Sequence, residues 1–440
     1  MTLAPSPSPW LEAAPLLVPA PPLAGERRVD VAVVGAGYAG LGTALALRAD
    51  GLSVAVLERE TAGFGASGRN AGHLTPTIGK DLPTLLAVFG RERTRALVHL
   101  AETAIAHVED WIREHAIACE YEPVGNVMAA VHASQEARLE RAARVATEMG
   151  ARAEWLSREA MRKRGLPEAF TAGVLESAGG ILQPALYVRG LRQAALAAGA
   201  ELYEQTPVLK IHEGPRVALE TPRGRVVADR VVLATNAYTS ELGVLRSVAL
   251  PMRVTLFRTA PLTAAQRDQL DWHGREGIYT AHEMLESYRL TADDRIVGGS
   301  KVVRARFGGG VPEDDDPATR ALLEQTFRDR FPGLDAPIER FWGGPIAFTL
   351  DFLPAIGVTG RFRNLYYAIA YAGHGLALAS LAGQVIADWI AGRDGPGAIL
   401  HQRWRPPLPP EPLRWLVVRA LTGWFGAVDA RVDRRVRAGR

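Results

Sequence analysis

The stretch Val31-Ala-Val-Val-Gly-Ala-Gly-Tyr-Ala-Gly-Leu-Gly-Thr-Ala-Leu-Ala-Leu-Arg-Ala-Asp-Gly-Leu-Ser-Val-Ala-Val-Leu-Glu58 decides the fold. The apolar, β-branched run 29–35 reads as a strand, 37–50 as a helix rich in Ala and Leu, and Val54–Glu58 as a second strand. Together they form a right-handed βαβ unit of about 30 residues. Gly35, Gly37 and Gly40 stand at G-x-G-x-x-G spacing where strand meets helix. The first permits a tight turn, the second lets backbone approach a pyrophosphate at the helix N-terminus, and the third lets the helix lie close to the strand. Glu58, ending the second strand, is placed to accept hydrogen bonds from ribose hydroxyls and to repel a 2′-phosphate, which disfavours NADP. The unit reads as a dinucleotide site, and by itself leaves open which dinucleotide.

The surrounding chain has 440 residues, enough for two domains. Its 48% hydrophobic and 22% charged content is that of a globular protein. Cys119 is the only cysteine, so no intrachain disulfide can form and a reducing compartment fits. The Pro- and Ala-rich lead has no basic start, and no window reaches the ~20 apolar residues of a membrane span, so a cytoplasmic location is expected. Residues 401–440 hold nine Arg against three acids, a net of +6, while the whole chain is +3, so the other 400 residues sum to −3. The basicity belongs to the tail, and no nucleic-acid partner is expected.

Helices are predicted from about Arg91 to Ile117, over Gln135–Met149, Val188–Ala200 and Ala318–Arg330, and over Leu376–Ala391. Strands are predicted at Tyr121–His132 and Arg225–Ala234 and through much of 249–305, with a turn at Ala292–Arg295. Gly308-Gly-Gly and Glu313-Asp-Asp-Asp316 mark an exposed loop. The expected fold class is α/β plus α+β. A Rossmann-like nucleotide-binding domain is made of three discontinuous segments, 29–90, 170–245 and 340–405. A mostly antiparallel-sheet substrate domain, 91–169 and 246–339, is inserted between them, after a Pro-rich lead, 1–28, and before a basic amphipathic tail, 406–440. In the tail Leu413, Val417, Leu421, Trp424 and Val428 recur at three- or four-residue spacing beside Arg414, Arg431, Arg434 and Arg435. Docking on its own domain or on a dimer partner is the preferred reading, because Gly423 and Gly426 weaken a free helix. Peripheral contact with an anionic membrane is the alternative.

Downstream of Glu58, Phe64-Gly-Ala-Ser-Gly-Arg-Asn-Ala-Gly-His73 resembles the G-A-S-G-R-N-G-G loop of FAD-dependent oxidoreductases of the D-amino-acid oxidase superfamily, and more narrowly the γ-glutamylputrescine oxidoreductase branch. Pro9-Trp-Leu-Glu12, Gln183–Leu191, Gly199–Val208, Leu233–Thr239, Thr349–Gly357 and Tyr371-Ala-Gly-His-Gly375 agree in the same order, so that the resemblance spans roughly 5–405. Ala71 departs from the usual Gly, which matters only if that position needs positive φ.

The resemblance implies noncovalent FAD, although His73 is a possible linkage site; Cys119 does not match the cysteine that sarcosine oxidases use. Gly35, Gly37, Tyr38, Ala39, Gly40, Glu58 and Arg59 would hold the adenosine and pyrophosphate, with Ala66, Ser67, Arg69, Asn70 and Gly72 in the loop that follows. Val208 matches the position whose backbone contacts adenine, Thr235 and Asn236 would pass the nucleotide on the opposite side, and Gly344, Gly373, Gly375 and Leu376 would lie near the flavin. His374 is the catalytic candidate, since its turn opens a helix whose positive end can stabilise charge on reduced flavin. Lys301, in Ile296-Val-Gly-Gly-Ser-Lys301, is a candidate for activating oxygen. Tyr288, Trp342 and Tyr371, with Tyr279, His282 and Phe341, are candidates for an aromatic substrate box, and Arg289 or Arg253 for binding a carboxylate. No metal site is expected. The implied activity is oxidation of an amine or amino acid, with a γ-glutamylputrescine-like substrate and oxygen preferred. Glycine, sarcosine or a D-amino acid with a quinone or carrier is the alternative, and a non-enzymatic flavin sensor the rival of another class. The oligomeric state is open.

Overall fold

The computed structural model describes residues 8–15, 18–312, 316–401 and 405–439. Glu313, Asp314 and Asp315 of the acidic loop, and Arg403 and Arg440 of the tail, lie outside the described residues. Among the described residues, two eight-stranded sheets and a two-stranded one, His73–Leu74 with Gly180–Ile181, form the framework. The first is built on Gly25–Val34, whose second half is buried and pairs in parallel with Val54–Leu57 on one side and Gly224–Leu233 on the other. Glu201–Tyr203 and Leu365–Ile369 extend it in parallel, and Ala355–Thr359 closes one edge antiparallel. The helix Tyr38–Ala49 is buried from Tyr38 to Leu47 and packs against Gly375–Ile390. A Cβ on Gly383 would lie 2.4 Å from the Gly42 carbonyl carbon, so glycine lets the two helix backbones meet.

The second sheet runs Ile338–Phe348, Leu250–Thr259, Ile296–Ala305, Glu286–Leu290, Gly277–Thr280, Asn126–Ala130, Ala172–Glu176, Ala153–Leu156. It is antiparallel apart from the pairing of Gly277–Thr280 with Asn126–Ala130. Three expected segment bounds move. Ala172–Glu176 and Ile338–Phe348 belong to this second sheet. The helix Leu82–Glu114, broken at Gly90 (φ 76°), buries Leu97, Leu100, Ala104 and Val108 in the core of the nucleotide-binding half. Linear spacing gives a helix's apolar face but not the sheet that face covers. The helix Ala264–Leu270, started by a Thr263–Gln266 capping box, lies inside the stretch expected to be mostly strand.

The tail forms one helix, Leu413–Ala438, docked on the second sheet. Asp429 accepts the amides of Glu283 (2.8 Å) and Met284 (2.9 Å). Val432 and Val436 pack on the sheet's apolar core.

Candidate active site

The turn after Gly25–Val34 has the shape its glycines predict. Gly35 takes φ 102°, and a Cβ on Gly40 would sit 1.8 Å from the Gly35 carbonyl oxygen. A Cβ on Gly37 would meet Ser67 Oγ at 2.8 Å, and Ser67 Oγ accepts the Tyr38 amide at 3.0 Å. The Gly-rich turn and the 64–73 loop thus face each other across a narrow slot, with the N-terminus of Tyr38–Ala49 between them. Asn70 staples that loop: its Nδ2 donates to Ala66 O, Ser67 O and Tyr38 Oη, each at 3.1 Å, and its Oδ1 accepts the Gly72 amide. Arg69 donates to Phe64 O and lies over the Phe64 ring. Both side chains line the cavity and at the same time brace the loop. Gly72 is the left-handed position (φ 81°) and Ala71 is not, so the Ala71 departure carries no strain.

Glu58 accepts the amides of Ala36 (2.8 Å) and Glu60 (2.9 Å), while burial raises its carboxyl above the ordinary value. Arg59 pairs with Glu241. Across the slot, Thr235 Oγ1 meets Thr239 Oγ1, and Asn236 Oδ1 accepts the Ala370 amide at 3.0 Å. That bond anchors a strained turn in which Ala370, Ala372 and Gly373 all take positive φ. The turn delivers His374 to the N-terminus of the buried helix Gly375–Ile390. His374 Nδ1 and Tyr371 Oη are buried without partners, and burial, helped by the charge of Lys80, lowers the imidazole to about 4.

Gly35, Gly37, Glu58, Ser67, Thr235 and His374 line one cavity of about 840 Å³, whose lining is largely apolar. The family model described as FAD dependent oxidoreductase matches residues 30–389. The chain belongs to that family. It is 30% identical over 366 residues to the gamma-glutamylputrescine oxidoreductase of Escherichia coli, covering 82% of this chain and 84% of that one. It is 29% identical to a probable oxidoreductase, OrdL, of Haemophilus influenzae, covering 85% of each. Glycine oxidase from Geobacillus kaustophilus shares the fold at TM-score 0.70 and 22% identity, covering 84% of this chain and 96% of that chain. The L-proline dehydrogenase from P. horikoshii does so at 0.71 and 19%, covering 86% and 95%.

The cavity of this FAD-dependent oxidoreductase fits its cofactor. The slot between Gly37 and Ser67 has no room for a side chain, two helix N-termini point into the cavity, and His374 and Tyr371 present unpartnered polar atoms. Ala39, Ala66, Val208, Gly344 and Leu376 also line it, all small or apolar. His73 lines it too, held by Asn126 at 2.9 Å and kept near 4 by burial. Cys119 lies in the core away from the lining.

The substrate candidates divide. Tyr371, Tyr279 and His282 line the cavity. Tyr288 does not: Ser287 faces the cavity, so strand alternation turns Tyr288 into a core of Phe170, Phe257 and Phe331. Trp342, outside the cavity lining, packs edge-on against Trp10 and donates to Arg69 O at 2.9 Å, bracing the loop, while Phe341 joins the Phe257 cluster. Arg289 donates to Ala71 O beneath the loop, and Arg253 packs on Gly343; neither lines the chamber.

Lys301 does line the cavity, but its ammonium is already matched, at 2.8 Å from Glu286 and 2.9 Å from Asp433. Arg330 bonds both carboxylates as well, and the two cations hold Glu286 near 2 against the upward push of burial.

Sequence reading missed the chamber roof, formed by Val417, Val418, Leu421, Thr422 and Phe425 of the tail helix. It also missed Lys80, whose ammonium lies 4.6 Å from the Phe352 ring centre and 4.8 Å from that of Phe425. A lone lysine in a loop carries no motif, although the scarcity of lysine in this chain was a signal.

Proposed function

We propose that this flavoenzyme oxidises an amine that also bears a carboxylate, of the γ-glutamylputrescine kind, to an imine that water hydrolyses to an aldehyde or keto acid. The reading is carried by the chamber's charge pattern. Arg59, Arg138, Lys301 and Arg414 are each paired with an acid, and Arg69 holds backbone carbonyls. Lys80, sandwiched by rings that orient its charge without neutralising it, is the lining cation left for a substrate carboxylate among the described residues. Bound FAD supplies a ring that accepts hydride from the carbon beside the amine. The protein excludes water through the tail-helix roof, and apolar surroundings favour the neutral amine that hydride loss requires. Neutral His374 and the amide end of Gly375–Ile390 face the region where negative charge develops.

In a panel of amines, those with a carboxylate should bleach the flavin anaerobically while their methyl esters react weakly. Lys80→Met should raise KM for the acids about tenfold or more, the equivalent of a lost charged hydrogen bond, with kcat little changed. Equal activity on acid and ester would overturn the carboxylate assignment. No bleaching by any amine or amino acid would overturn the activity. Oxygen is the proposed acceptor; transfer to a quinone or carrier is a second reading, favoured by the matched charge of Lys301.

A further inference from the structure

We infer that the outward face of the helix Leu413–Ala438 is a docking surface for an anionic phospholipid bilayer, on which it lies parallel to the membrane plane. The helix lies beyond the 30–389 region of the family match. Its two acids, Asp429 and Asp433, are both buried against the protein, so its own outward face carries no negative charge. That face divides along its length. In the first half Leu413, Leu416 and Trp424 keep 54, 55 and 60% of their surface exposed, and at 100° per residue they fall on one side. Phe307, also exposed, packs edge-on against Trp415 of the same helix and widens the apolar area. In the second half the same side carries exposed Arg431, Arg434 and Arg435.

An apolar patch continuing into arginines suits the boundary between acyl chains and phosphates. A second copy of this chain would offer the same helix face, with no acid of its own to meet the arginines. No described helix is long and apolar enough to cross a membrane, which leaves surface contact as the mode. Leu350 and Leu421 line the cavity and are also exposed, so the chamber opens beside this face. A docked bilayer would put a lipid-soluble electron acceptor within reach of that opening.

The test floats the yellow holoprotein with vesicles of phosphatidylcholine alone or with about 30 mol% phosphatidylglycerol. The expected result is flotation with the anionic vesicles, weakened about tenfold or more by Arg431→Gln/Arg434→Gln/Arg435→Gln and likewise by Leu413→Ser/Leu416→Ser/Trp424→Ser. Flavin absorbance and circular dichroism should be unchanged in both variants, since every substituted side chain is exposed. Absence of flotation, or flotation indifferent to both triple substitutions, overturns the proposal. A dimer that both sets dissolve, without vesicle binding, assigns the face to a second copy and overturns it equally.

Discussion

At Gly37 one methyl group decides cofactor binding. Its Cβ would touch Ser67 Oγ in the slot that receives the pyrophosphate, so Gly37→Val should yield a folded but colourless protein that takes up no FAD on reconstitution. Glu58 is different because its carboxylate holds two backbone amides as well as facing the cavity. Glu58→Gln should weaken FAD by about 1.5–3 kcal/mol, read as a rise in dissociation constant by titration of apoprotein. His73 and His374 set an acid limit. Both imidazoles are held near 4, below the ordinary 6.5, so the unfolded chain takes up protons first as pH falls. Stability from these sites is complete above about 6.5 and is lost progressively towards 4. His73→Asn should therefore flatten the fall in melting temperature across that window, and an unchanged slope would assign the acid loss to other groups.

The tail helix shows at the scale of an element how position overrides composition. Its sequence is Arg-rich and amphipathic, and its docking on this chain's own second sheet carries Asp433 into a buried cluster with Lys301, Arg330 and Glu286 while Phe425 closes the chamber. Removing one partner from such a cluster leaves charge uncompensated, so Asp433→Asn should cost about 3–5 kcal/mol. Chemical denaturation would measure the loss, and faster proteolysis of the tail would show that the helix had loosened. Strand alternation is equally decisive: a single residue step separates Ser287 in the cavity from Tyr288 in the core.

Across the whole molecule, the cavity joins a sheet with a parallel centre, which supplies the nucleotide slot, to a mostly antiparallel sheet and a tail helix that supply the chamber. The buried cluster at Lys301 bears on the choice of electron acceptor. With its charge matched by two carboxylates, Lys301→Met should lower thermal stability and leave reoxidation by oxygen within about twofold of the parent, much less than the tenfold that 1.4 kcal/mol of lost barrier stabilisation would give. Stopped-flow mixing of reduced enzyme with oxygen separates these outcomes.

The nucleotide half was legible because its constraints are local. Gly35, Gly37, Gly40 and Glu58 lie within 24 residues, and each answers to a turn, a close approach or a strand end that linear spacing encodes. The antiparallel character of the second sheet was legible too, from its alternating strands. The sequence did not reveal which side of Glu286–Leu290 would face the cavity, that Arg69 and Asn70 would brace their own loop, or that Lys80 and Phe425, 345 positions apart, would meet. Those outcomes depend on register between distant strands and on where the last helix docks, and such long-range packing is settled only when the whole chain closes on itself.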